Sequence, residues 1–115
     1  MRLAILLFAF PLFGASPPAT PVTVSLSNFR FEPAAIRLVQ GRPYVLRLVN
    51  RSNGGHNFVA PQFLAAARIG RGKIEVPGNA TVDVAIIAPA AGRYKVKCTH
   101  LTHAMRGMKG VIVVE

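Results

Sequence analysis

From residue 22 to the C-terminus, apolar side chains recur at every second position in short runs, and each run is cut by glycine, proline or asparagine. That period of two is what most constrains the fold, because successive residues of a strand face opposite ways, whereas an amphipathic helix repeats near 3.6 residues. Val22, Val24 and Leu26 alternate with Thr23, Ser25 and Ser27, and Ile36 and Leu38 flank Arg37. Tyr44, Leu46 and Leu48 form the next inward row, opposite Val45, Arg47 and Val49. Turns are expected at residues 40–43 and 50–55.

Residues 56–60, 73–76 and 81–87 read as further strands, the last with Val82, Val84 and Ile86 inward. In residues 93–98 the alternation places Tyr94, Val96 and Cys98 on one face and Arg93, Lys95 and Lys97 on the other. Residues 110–114 are apolar on both sides, as a central strand requires. Residues 61–68 suit two turns of helix, since Pro61 is tolerated at the first position and Ala and Leu favour helix. The expected fold is all-β, a Greek-key β-sandwich of about seven to eight strands with one short helix.

Ahead of this pattern, Arg2 precedes an apolar run at residues 3–10, then Pro11 and the small residues Gly14, Ala15 and Ser16. That layout is a secretory signal, so residues 1–16 are expected to be removed by a cut within 15–19. The run falls short of the roughly 20 residues of a spanning helix, so no integral membrane segment is expected after removal. Residues 17–21 form a Pro-rich linker and residues 22–115 the folded domain. The expected location is periplasmic or otherwise exported.

The formal charge of +10 becomes +9 without Arg2. The cations are spread over several strands rather than clustered, which argues against nucleic acid and for an acidic redox protein or an anionic membrane face. The face carrying Arg93, Lys95 and Lys97 is either solvated or docks such a partner. Cys98 is the only cysteine and cannot close an internal disulfide even in an oxidising compartment. It is therefore inert, reactive or a metal ligand.

The residues after it favour the last. Cys98-Thr-His-Leu-Thr-His103-Ala-Met-Arg-Gly-Met108 sets a thiolate, an imidazole and a thioether at Cys-x4-His-x4-Met spacing. That donor set suits one copper ion cycling between Cu(I) and Cu(II), while zinc or iron would seldom recruit the methionine. A blue-copper centre takes a second imidazole, and His56 is the only histidine outside the loop. The expected ligands are His56, Cys98, His103 and Met108. His100 and Met105 offer a competing register three residues earlier, or a second, weaker copper site. Cys-x-His leaves little chain to bring both ligands round one ion, which favours His103 and Met108.

On these residues the chain resembles the cupredoxins, the small type 1 blue-copper family of plastocyanin, azurin, pseudoazurin and rusticyanin. The likeness runs over residues 22–115 and adds Phe31-Glu-Pro33, the Gly41 turn, Asn50 and the pair His56-Asn57. The resemblance implies that the Asn57 backbone N–H donates to the thiolate and that its side chain bonds Thr99, contacts that hold both ligand segments and tune the potential. It also implies an electron port at the edge of His103, within a patch of Phe58, Pro61, Leu101 and Ala104. The implied activity is one-electron transfer between redox proteins, with no enzymatic reaction. The alternative is a copper-binding protein of trafficking or tolerance, in which His100 and Met105 pass the ion onward.

Overall fold

Residues 18–100 and 108–115 are described by the computed structural model. The expected signal segment, His103 and Met105 lie outside them. Nine strands form among the described residues: β1 Thr20–Ser27, β2 Arg30–Glu32, β3 Ala35–Leu38, β4 Pro43–Asn50, β5 His56–Val59, β6 Lys73–Val76, β7 Thr81–Ile87, β8 Gly92–Lys97 and β9 Lys109–Val114. One helix, α1 Pro61–Ala66, lies between β5 and β6.

The strands make two sheets, ordered β2-β1-β4-β7 and β3-β9-β8-β5-β6. The alternating residues decide what lies between them. Val24, Leu26, Leu46, Leu48 and Ile86 from the first sheet meet Ile36, Leu38, Phe58, Val76, Val96 and Ile112 from the second, all buried. Phe31 of β2 and Phe58 of β5 meet edge to face, with centroids 6.0 Å apart, so the sheets are joined by aromatic packing next to β5. β9 sits between β3, its parallel partner, and β8, its antiparallel partner. That position explains its apolar residues on both faces.

Three details depart from the sequence pattern, each for a local reason. β2 was not expected, because three residues with one buried side chain, Phe31, carry almost no periodic signal. β1 starts at Thr20, so Thr20 and Pro21 pair with Tyr44 and Val45 of β4. Pro21 is tolerated there because β2 covers only residues 25–27 of β1, and no ladder bond is asked of the proline on that side. The helix stops at Ala66 rather than at residue 68. Arg68 takes a left-handed φ of 60°, its N–H donates to Ala65 O, and the Ile69 N–H donates to Leu64 O, the paired bonds of a Schellman end. Phe63 and Leu64 are the buried residues of α1, and Phe63 packs edge to face on Tyr94 of β8.

Between β3 and β4 the chain turns through Val39 to Arg42, where the Arg42 N–H donates to Val39 O and Gly41 has φ 81°. A type II turn needs positive φ at that third position, which glycine supplies without strain. The turn also ties the sheets together, since Gly41 N–H donates to Ala88 O and Gln40 N–H to Glu115 O.

Candidate metal centre

His56 opens β5 immediately after the Gly54-Gly55 break, and Asn50 builds that break. The Asn50 side chain is buried; its Nδ2 donates to Gly54 O and Val76 O at 2.9 and 3.0 Å, while its Oδ1 accepts from Ser52 N–H and Oγ–H. Gly78 closes the arrangement from the other side, because a Cβ there would stand 2.1 Å from Asn53 O. The loop before His56 is thereby held by its own backbone and by the β6–β7 turn.

Cys98 follows β8 on the inward side, as the alternation requires, and is fully buried. His56 is 1% exposed, and its Nδ1 lies 3.8 Å from Cys98 Sγ. Metal–nitrogen and metal–sulfur bonds of about 2.0 and 2.3 Å at a trigonal angle near 120° would set such donors about 3.7 Å apart. The pair fits a single ion between them. The Asn57 N–H donates to Sγ at 3.5 Å, and the Cys98 N–H donates to Met108 O at 3.1 Å. Met108 is fully buried beside the thiol-bearing strand end.

The side chain of Asn57 joins the start of β5 to the residue after Cys98. Its Oδ1 accepts the Thr99 N–H at 2.8 Å and its Nδ2 donates to Thr99 Oγ1 at 2.9 Å. Glu75, a residue that sequence reasoning missed, faces Asn57 across the β5–β6 ladder and accepts from the same Nδ2 at 3.2 Å. Lys73 Nζ lies 3.8 Å from that same oxygen, and the other oxygen is 2.8 Å from His100 Nε2. The hydrogen bond from His100 is the largest cause holding the Glu75 carboxyl below its ordinary range; partial burial opposes it, and Asn57 and Lys73 reinforce it. The signal that could have found Glu75 is a lone carboxylate on the polar side of the alternating run Lys73-Ile-Glu-Val76, but its partners depend on register.

The structure therefore brings His56, Asn57, Cys98, Thr99 and Met108 together and places His100 at the rim, over Gly55 and against Glu75. Among the described residues no three His, Cys, Asp or Glu converge on one point. The fourth expected ligand, His103, and the competing Met105 lie outside them. A thiol, an imidazole and a buried thioether residue, screened from water by the sandwich, form a soft, low-dielectric setting suited to a redox-active ion.

No curated protein matches the chain. Among solved structures, it is similar to reduced auracyanin from the photosynthetic bacterium Roseiflexus castenholzii, with TM-score 0.68, 18% identity and coverage of 84% of this chain and 98% of that one. It is similar also to auracyanin A, described as a "blue" copper protein, from Chloroflexus aurantiacus, with TM-score 0.61, 25% identity and coverage of 84% and 100%. An amicyanin variant aligns with TM-score 0.57 at 21% identity over 83% of this chain and 82% of that one. The model of the cupredoxin-like domain matches residues 2–114, and on that match this chain belongs to the cupredoxin-like family.

Proposed function

We propose that this chain is an exported type 1 copper protein that carries one electron at a time between redox proteins. The observation that carries the reading is the buried pair of His56 Nδ1 and Cys98 Sγ, 3.8 Å apart, with the thiol accepting the Asn57 N–H. Copper, when bound, supplies a one-electron couple between Cu(I) and Cu(II). His56 at the start of β5 and Cys98 just after β8 would hold it, with His103 as the second imidazole and Met108 as a thioether ligand. The donated N–H of Asn57 stabilises negative charge on the sulfur. The Asn57–Thr99 bonds keep the two segments at one spacing in both oxidation states, and the apolar core excludes water. The N-terminal layout of one cation, an apolar run and small residues supports export, and the surplus of cations supports acidic redox partners.

Adding Cu(II) to the mature protein tests the reading. An intense visible band from thiolate-to-copper charge transfer, lost in Cys98→Ser and His56→Ala, together with reversible one-electron reduction, is the expected result. A colourless complex that yields its copper to a competing chelator would instead make the metal a cargo and favour trafficking or tolerance.

A further inference from the structure

The charge on this molecule is unevenly placed. The outer face of the β1–β4–β7 sheet is near neutral, and its Arg47 is taken by Asp83 through two hydrogen bonds. On the outer face of the other sheet, Arg93, Lys95 and Lys97 stand exposed along β8, with Lys109 exposed on β9 beside Lys97. None of these four has an ion pair among the described residues. The chain has four carboxylate side chains. Glu75 is engaged by Lys73 and His100, Asp83 by Arg47 and Glu115 by Arg37, while Glu32 lies on β2 in the opposite sheet.

Lys97 and Lys109 are directly opposed in the ladder. Like charges in that relation cost stability, and nothing in the described fold relieves them. Their position is also specific: Lys97 immediately precedes Cys98, and Lys109 immediately follows Met108. Beside them a groove of about 430 Å³ runs between α1 and the β8–β9 ladder, lined by Val59, Pro61, Gln62, Lys95, Lys97 and Lys109.

We propose that this groove and its lysines form the docking surface for an acidic protein segment, and that binding there seats the partner at the stem of the metal loop. The inference rests on the carrier reading only for the partner's redox role. Alternate residues of β8 stand about 7 Å apart along the strand, close to the spacing of carboxylates four apart on a helix, at about 5–6 Å between Cβ atoms. A protein fits better than a lipid surface. The large hydrophobic residues exposed among those described are Val39 and Ile87, and neither lines this groove, so it offers no large exposed apolar side chain to insert into a bilayer.

Titration of the reduced, copper-loaded protein with short poly-L-glutamate, followed by amide NMR, tests the surface. Shifts should cluster at residues 93–97 and 109–111. Lys95→Gln/Lys97→Gln/Lys109→Gln should bind about tenfold more weakly or worse at low salt. Arg42→Gln/Arg51→Gln/Arg68→Gln removes the same charge elsewhere and should bind nearly as wild type does. Equal weakening in both variants, no clustered shifts, or shifts produced by phosphatidylglycerol vesicles and not by the peptide overturn the proposal. Lys97→Gln alone provides the same comparison if the triple variant folds poorly. A blue, reversibly reducible protein that ignores poly-L-glutamate defeats the docking surface alone; a colourless protein that binds it defeats the carrier reading alone.

Discussion

Asn57 grips Thr99 twice, accepting its backbone N–H and donating to its hydroxyl, so one side chain of β5 fixes the residue that follows the thiol on the end of β8. β5 and β8 share only the single paired position Val59 with Lys97, so this side-chain clasp takes the place of a ladder where the ladder runs out.

Asn57→Ala is expected to lower stability by about 2–4 kcal/mol, because its two bonds with Thr99 and its bond to Glu75 vanish and the Thr99 N–H loses its acceptor. Urea unfolding of the metal-free protein measures this directly. The bond from the position 57 backbone to Cys98 survives the substitution, so a variant that still folds should keep a thiolate-to-copper band of shifted energy.

The two ligand registers separate by colour. With His103 and Met108 as ligands, His103→Ala loses the blue band while His100→Ala retains it, since His100 is committed to Glu75 at the rim. The reverse pattern would assign the site to His100. Copper should also raise the unfolding temperature of the wild type and of His100→Ala, but much less that of Cys98→Ser, because a ligand that binds only the folded state stabilises it.

Backbone contact behind His56 predicts a sharp contrast between neighbouring glycines. Gly78→Ala drives a Cβ into Asn53 O and should cost about 1–3 kcal/mol, while Gly54→Ala meets nothing within 4 Å and should lie within about 0.5 kcal/mol of wild type. Thermal melts of the two variants decide the point.

Acid should weaken the fold partly through Asp83. Its carboxyl is held below the ordinary aspartate value of 3.8, first by the hydrogen bond from Arg47 and then by that residue's charge. A depressed folded pKa means that stabilisation is complete above the unfolded value and is lost as pH falls through the folded one. Asp83→Asn should therefore lose less stability than wild type on going from pH 5 to pH 2. Because the pair is exposed, the difference should shrink in high salt.

How much of this could be read from the chain depends on the range of the interaction. The faces of β1, β4, β7 and β8 were legible because alternation is a local property; the inward turn of Cys98 follows from Tyr94 and Val96 alone. His56 could be paired with Cys98 because so few histidines compete for the role. β2 was hidden by its brevity. The end of α1 was hidden because Arg68, not glycine, takes the left-handed position. Glu75 was hidden for a deeper reason: its importance comes from standing opposite Asn57, and the β5–β6 register is a product of the whole sheet.

The bond from Cys98 N–H to Met108 O, next to the paired Lys97 and Lys109, closes the β8–β9 ladder at the mouth of the loop proposed to hold copper. Everything that sets which way the core side chains of those strands point lies on the closed side of that bond. Residues can thus be gained or lost between Cys98 and Met108 without turning a single core side chain outward. In such a molecule the scaffold and the metal's reach can evolve on separate schedules, with the loop behaving as an exchangeable part carried by an unchanging frame.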